Sequence, residues 1–404
     1  MTATSPGEGD HKGHVGALDL GWFKKHLLED LLPHWLAGAV TEEGLFLPHL
    51  DRQWRRPPGS FGTLVSQGRL LFNFSIGYQL TGREEYADAV RAGAEFLLWN
   101  FGDPRYGGYF FACGPEGRVL DDRKDSYGHA FVIFGLAHAA RCLGDGKYRD
   151  AAAETWQLMR ERLSDEHGGL LLHTSRDFEE RDPAGPEGVA SQNPVMHTFE
   201  ALLALGDVPG AEDFRQEAQR VADFVLERLL RDDGALPEFF TADWGPLSAE
   251  HGGRINVGHQ FEWAFLLSSA VERGLPQDYL AAAEGLLEAG LRMGFDAETG
   301  GVCTWATPAG EPIEGPWGWW EQCEATRAMM HFVVLHGRED LVEPLAKNRA
   351  FFEQEFVDSE YGGWAVGEDR HKGDPWKVDY HVVGMCVEAL RLSDLGNQTQ
   401  SQDQ

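Results

Sequence analysis

Gly107-Gly-Tyr-Phe-Phe, a glycine turn running into a short β-like stretch, is the segment on which the fold turns, because it does not occur once. Close variants begin at Gly44 (Gly-Leu-Phe-Leu), Gly168 (Gly-Gly-Leu-Leu-Leu), Gly234 (Gly-Ala-Leu-Pro-Glu-Phe-Phe), Gly300 (Gly-Gly-Val-Cys-Thr-Trp) and Gly362 (Gly-Gly-Trp-Ala-Val). Successive starts lie 63, 61, 66, 66 and 62 residues apart, so six units fill the chain. A fixed period of this length marks a repeat architecture. Between the turns, apolar residues recur with the 3.6-residue period of a helix. That pattern predicts twelve helices, near 17–38, 66–81, 84–100, 127–143, 146–163, 194–206, 211–230, 257–273, 276–294, 319–336, 339–357 and 378–394. Two kinds alternate. Stretches such as 84–100 and 211–230 are mixed in polarity, whereas Ala264-Phe-Leu-Leu and His129-Ala-Phe-Val-Ile-Phe-Gly-Leu-Ala are apolar almost all round. A helix without a polar face must be buried. The reading is therefore all-α, an (α/α)6 barrel of six inner and six outer helices with short β-hairpin-like loops. An open solenoid of helix pairs is the rival.

Composition bounds the rest. The 404 residues hold 35 basic and 65 acidic side chains, a net charge of −30, which excludes the basic footprint that nucleic acid or an anionic membrane requires. No apolar run approaches 18 residues, so no membrane span is expected. The start, MTATSPGEGDHKG, lacks the apolar core of a secretory signal. Residues 1–16 read as a disordered lead, 17–394 as one barrel domain and 395–404 as a disordered tail. Cys113, Cys142, Cys303, Cys323 and Cys386 show no paired spacing, which argues against a disulfide framework or zinc site and for a reducing cytoplasm.

Unusual polar residues gather where the inner helices begin: Ser66-Gln67-Gly68-Arg69, Asp125-Ser-Tyr127-Gly-His129, Asn193-Pro-Val-Met-His197-Thr-Phe-Glu200, Asn256-Val-Gly-His259-Gln-Phe-Glu262, Trp317-Gly-Trp319-Trp320-Glu321 and Trp376-Lys-Val-Asp-Tyr380-His381. In a closed barrel these six ends share one rim and one cavity, and their positive dipole ends suit a developing enolate oxygen. His197, His259 and His381 stand at equivalent repeat positions, which makes them candidates for proton transfer, whereas His129 reads as a structural hydrogen-bonder. Arg69 is placed to anchor a sugar hydroxyl. Trp319, Trp320 and Trp376 form a stacking platform, and Arg55 and Arg56 belong to a solvated lid segment. His197 with Glu200, and His259 with Glu262, are spaced i, i+3, so a carboxylate adjoins each imidazole and raises its basicity. The same spacing occurs in di-metal bundle sites, but no further ligand motif accompanies it.

These motifs resemble those of the N-acylglucosamine 2-epimerase superfamily, which includes cellobiose 2-epimerases and mannose-type aldose–ketose isomerases. The resemblance rests on Gln67-Gly-Arg-Leu-Leu-Phe-Asn-Phe-Ser, Tyr127-Gly-His-Ala-Phe, Asn193-Pro-Val-Met-His-Thr-Phe-Glu-Ala, Gly258-His-Gln-Phe-Glu-Trp-Ala, Trp319-Trp-Glu-Gln-Cys-Glu-Ala and Tyr380-His-Val-Val, in that order over residues 20 to 392. It implies an (α/α)6 barrel, a general acid/base pair at His259 and His381, and substrate-binding or supporting positions at Arg69, Tyr127, Asn193, His197, Glu262, Trp320 and Trp376. It implies no metal or redox cofactor. The last motif departs from the pattern of the epimerases, which carry an arginine three residues after the histidine; Gly384 stands there. The Asp379-Tyr380-His381 run is closer to the mannose isomerases, while Met385-Cys-Val-Glu388 is epimerase-like. The expected activity is isomerisation of an unmodified aldose such as mannose to its ketose through a cis-enediolate. A sugar 2-epimerase using the same site is the alternative. Further rivals are an inverting glycoside hydrolase built on Glu200 and Glu262 and a non-catalytic sugar-binding module. The expected partner is a small sugar, and the chain would act as a monomer or homodimer.

Overall fold

The computed structural model describes residues 20–182 and 189–402; the lead expected at 1–16 lies outside the described residues. The outer layer starts with α1, which runs from Leu20–Lys25 through a π-helical turn at His26–Leu31 into Leu32–Ala39. It continues with α3 (Glu84–Phe96), α5 (Gly146–Leu158), α7 (Phe214–Arg228), α9 (Tyr279–Gly294) and α11 (Val342–Glu355). The inner layer is α2 (Leu64–Thr81), α4 (Ser126–Leu143), α6 (Asn193–Gly206), α8 (Val257–Glu272), α10 (Trp319–His336) and α12 (Tyr380–Gln402). Every residue of α8 from Val257 to Ala270 is buried, as is every residue of α2 from Leu64 to Gly77. In α3, by contrast, Tyr86, Ala87, Val90 and Ala94 face inward while Glu84, Glu85, Asp88 and Arg91 stay in water. The polarity contrast in the sequence is thus the contrast between a helix surrounded by protein and one at the surface.

The ring closes. α12 packs against α10 on one side and α2 on the other, and Leu50 of the first repeat bridges Gly373 of the last, N to O 3.1 Å. An open solenoid would leave those faces bare. Close approach of α2 and α4 depends on Gly68: a Cβ there would lie 2.1 Å from the carbonyl oxygen of Phe131. No helix among the described residues is long and apolar enough to cross a membrane, and all five cysteines are unpaired.

The glycine-led runs become the strands that line the rim. β1 (Gly62–Thr63), β3 (Lys124–Asp125), β5 (Val189–Ser191) and β7 (Ile255–Asn256) each lead into an inner helix. Each pairs antiparallel with a strand of the following repeat: β2 (Ala112–Cys113), β4 (His173–Thr174), β6 (Phe239–Thr241) and β8 (Trp305–Ala306). In the first, fourth and fifth repeats an inner-helix glutamine staples the glycine run in place. Gln67 accepts from the Phe46 amide (3.0 Å), Gln260 from Leu236 (2.8 Å) and Gln322 from Val302 (2.9 Å). His129 fills the same slot in the second repeat. Its Nε2 accepts from the Tyr109 amide at 3.1 Å and its Nδ1 donates to the Asp125 carbonyl at 2.7 Å. Both nitrogens are used, and burial pushes its pKa down to about 4.

One boundary differs from the sequence reading. α12 continues to Gln402, through most of the stretch expected as a disordered tail from 395. Leu395–Gln402 contains no proline, and the lone Gly396 lowers helix propensity by only about 1 kcal/mol.

Candidate active site

The N-terminal ends of the inner helices enclose a cavity of about 580 Å³. Its lining includes Arg69, Tyr127, Asn193, His197, His259, Trp319, Trp320, Trp376 and His381, so the sequence candidates from all six repeats converge. Two others do not reach it: Arg55 pairs with Asp51, and Arg56 donates to the carbonyls of Gly38 and Val40.

His259 is fixed by its neighbours. Its backbone amide donates to the Asn256 side chain, the N-cap of α8, at 3.2 Å. Its Nδ1 lies 2.5 Å from Glu238 Oε2. Glu238 also accepts from Ser191 Oγ (3.1 Å) and Gln192 Nε2 (2.8 Å), so the carboxylate is surrounded by donors and His259 Nδ1 must be one of them. Trp263 Nε1 holds Gln192 by donating to its Oε1 at 2.7 Å. The proton therefore sits on Nδ1, and Nε2 is left as an unprotonated base on the cavity side. This corrects one expectation: the partner of His259 is Glu238 of the preceding hairpin, not Glu262. Helical spacing puts Glu262 on the same face, but His259 lines the cavity whereas Glu262 is buried outside that lining, beside Glu324 and Glu200.

His381 is built alike. Its Nδ1 lies 2.8 Å from Glu324 Oε1 of the adjacent helix α10. Burial, with the cations of Arg69 and Arg327 and the neighbouring His197, pushes the imidazole well below its usual pKa, so it is neutral. Burial also lifts Glu324 to about 7, despite the Arg327 guanidinium 3.6 Å away. The pair thus gains or loses its proton at Glu324 near neutral pH, with the imidazole neutral throughout. The indole of Trp320 touches both imidazoles, 4.9 Å from the ring of His259 and 5.2 Å from that of His381. That approach needs Gly258, where a Cβ would lie 2.6 Å from the indole.

Opposite stands Arg69, its guanidinium over the rings of Phe131 (4.4 Å) and Tyr380 (4.9 Å). It donates to the Trp376 carbonyl and to the Tyr127 hydroxyl, both at 2.7 Å. Tyr127 accepts that bond and keeps its own proton free to donate; burial raises its pKa to about 12. Asn193 Oδ1 is buried and unpaired at the cavity wall.

Beneath the cavity floor lies a layer of acids. His197 Nδ1 donates to Glu200 Oε2 at 3.1 Å, as the i, i+3 spacing predicts, and Tyr380 donates its hydroxyl to the same carboxylate. Burial opposes ionisation of Glu200, but the bond from His197 and the charge of Arg327 outweigh it and leave its pKa at about 2. Glu262 is fully buried with neither oxygen hydrogen-bonded. Burial and the nearby Glu324 and Glu200 charges push its pKa far up, so it is a neutral acid. The groups His197, Glu200 and Glu262, and Glu262, Glu324 and His381, each bring one ligand atom within 4.8 Å of the others, close enough to share a cation. The chemistry fits one poorly: Glu262 is protonated, and in both groups the imidazole already hydrogen-bonds a carboxylate.

Glu238, Glu324, Gln192, Trp305 and Phe239 escape the sequence reading. Glu324 stands inside the Trp319-Trp-Glu-Gln-Cys-Glu motif. Glu238, Phe239 and Trp305 belong to the glycine-led runs, which supply cavity wall as well as turns. The repeat spacing carries one more signal: Glu321 occupies the position of His197, His259 and His381 in the fifth repeat. It is buried beside His259, and its pKa is raised to about 7 by that burial.

A closed double ring of helices with carboxylate-backed histidines at one mouth defines an (α/α)6 barrel equipped for proton transfer. The sequence profile of the N-acylglucosamine 2-epimerase (GlcNAc 2-epimerase) family matches residues 46–385, and the chain belongs to that family. It is 24% identical over 386 residues to a cellobiose 2-epimerase of Bacteroides fragilis, covering 91% of this chain and 97% of that protein. It is 26% identical over 398 residues to a D-mannose isomerase of Marinomonas mediterranea, covering 94% and 99%. The crystal structure of a D-mannose isomerase superposes with a TM-score of 0.83 at 23% identity over 96% of this chain and 100% of that one, which shows the shared fold.

Proposed function

We propose that the protein is an aldose–ketose isomerase that converts an unmodified aldose such as mannose to its ketose. The observation that carries this reading is the pair His259 and His381, each with Nδ1 tied to a carboxylate and both touching the indole of Trp320. The cavity binds the sugar and promotes ring opening. One imidazole removes the C2 proton, acidified by the adjacent C1 carbonyl, and returns it to C1 through a cis-enediolate. Arg69 and Tyr127 donate to the enediolate oxygens, and Trp320 and Trp376 stack on the sugar's apolar faces. Asn193 and His197 bind hydroxyls, while Glu262 supports the floor as a neutral acid. Glu200 and Glu262, the pair that hydrolysis would require, both lie below the cavity lining. Proton transfer here needs neither metal nor redox cofactor. The five free cysteines support a cytoplasmic location, and each chain, closing its own barrel, carries a complete site as monomer or homodimer.

A 2-epimerase outcome is the second reading, favoured by the two histidines flanking one indole, since epimerisation returns the proton to the opposite face of C2. Product analysis of EDTA-treated protein with mannose and with cellobiose separates the two. Fructose from mannose supports the isomerase. Glucose from mannose, or the C2 epimer of cellobiose, supports the epimerase. Loss of all turnover on EDTA treatment, restored by a divalent ion, overturns the metal-free mechanism.

A further inference from the structure

A second concave site lies behind the wall of the active-site cavity, on the outer surface. It encloses about 500 Å³ and is lined by Arg228, Arg231 and Arg254 over an apolar bed that includes Phe240, Trp244 and Leu247. In a chain carrying −30, three arginines meet in a lining that contains no carboxylate. The nearest acids serve the flanks: Asp233 pairs with one edge of Arg231 at 2.6 Å, and Arg228 donates to the backbone carbonyl of Asp243 at 3.0 Å.

Arg254 is the decisive residue. Its guanidinium lies 3.8 Å from the ring of Trp305 and 5.3 Å from that of Phe239, so one face is covered by aromatic surface. Its Nε is buried without a hydrogen-bond partner, and no carboxylate stands in the groove lining beside it. A half-buried arginine left without an acceptor is costly unless a ligand supplies one, and a planar guanidinium held flat on an indole is already oriented for bidentate contact with an oxyanion. Arg231, which also donates to the Pro308 carbonyl at 2.6 Å, and Arg228 border the same space. Arg231 shares its charge with Asp233, and the two charges of Arg254 and Arg228 match a dianion better than a carboxylate, while the bed of Phe240, Trp244 and Leu247 gives an apolar substituent a surface to cover.

We infer that this groove binds a small organic phosphate, with the phosphate on Arg254, Arg231 and Arg228 and the apolar part on Phe240, Trp244 and Leu247. The site is separate from sugar turnover but adjoins its machinery: the Arg254 carbonyl accepts from the amide of Glu238 at 2.9 Å, and Trp305 lines the sugar cavity.

The test is isothermal titration of the full chain with phenyl phosphate and, separately, inorganic phosphate, at constant ionic strength in chloride. The inference expects one phenyl phosphate per chain, bound more tightly than inorganic phosphate. Arg254→Gln should weaken it by at least about tenfold, the loss of one charge-assisted bond. Arg228→Gln, an exposed position whose change leaves the fold intact, should weaken it severalfold, and Arg149→Gln, on a distant outer helix, should not change it. Absence of binding, equal affinity for the two phosphates, or unchanged affinity in both Arg254→Gln and Arg228→Gln would overturn the inference.

Discussion

Glu238→Gln changes a single atom and should cost the protein most of its turnover. In the parent, Glu238 receives three donors: His259 Nδ1, Ser191 Oγ and Gln192 Nε2. The replacement amide has one acceptor oxygen and one donor nitrogen. Ser191 donates to Oε1, whereas Gln192 Nε2 and His259 Nδ1 share Oε2, so the amide oxygen stays with those two donors and its nitrogen turns to the Ser191 hydroxyl, which can accept. His259 keeps its tautomer but loses the carboxylate behind it, and with it the counter-charge for the imidazolium formed on proton abstraction. Losing a charge-assisted bond at a site only 3% exposed removes about 1.5–3 kcal/mol of orientation, or roughly 10- to 150-fold. The fall in kcat should therefore be roughly 10- to 150-fold. Steady-state kinetics of ketose formation, with the melting temperature as a fold control, measures it. A variant that folds and retains kcat within fivefold of the parent would refute the assignment of Glu238 as the carboxylate that supports the His259 base.

Other predictions follow from burial and packing. Glu321 has its pKa raised from 4.5 to about 7, so its ionisation destabilises the fold as pH rises through that window, by up to about 3 kcal/mol. Glu321→Gln should therefore raise the melting temperature at pH 8 and leave it unchanged at pH 4, where the parent side chain is protonated in both states; equal gains at both pH values would contradict the shift. Gly258→Ala puts a methyl 2.6 Å from the Trp320 indole and should raise KM and lower kcat together, by about tenfold or more in kcat/KM, in a chain that still folds. Gly68→Ala forces a Cβ against the Phe131 carbonyl and should cost about 1–3 kcal/mol in urea unfolding, because backbone cannot move aside as a side chain can.

The repeat and the alternation of buried and half-buried helices were legible because they express one physical requirement in every unit: an inner helix meets protein on all sides, an outer helix on one. Trp319–His336 falls on its expected bounds for that reason. The histidines were legible because a repeat returns equivalent positions to one rim, and His197 with Glu200 because a helix makes i, i+3 neighbours. What stayed hidden is what depends on tertiary approach. Glu238 reaches His259 from 21 residues upstream, through a hairpin between two inner helices, and Glu324 reaches His381 from the adjacent inner helix. No helical periodicity links either pair. The pairing of His259 with Glu262 misled because sharing a helix face does not fix which way an imidazole rotates. His129 was separable from the other histidines only by its position, one residue later in the repeat, where the first, fourth and fifth repeats carry glutamine.

The central claim is that His259 and His381 move a proton between C2 and C1 of a sugar. Proton NMR of mannose incubated in D2O with the parent, His259→Ala and His381→Ala proteins tests it most directly. The account predicts fructose carrying deuterium at C1 from the parent, deuterium at C2 of recovered mannose, and both signals lost in each variant. Turnover in either variant within a few-fold of the parent, or no exchange with any aldose in the parent, would contradict it.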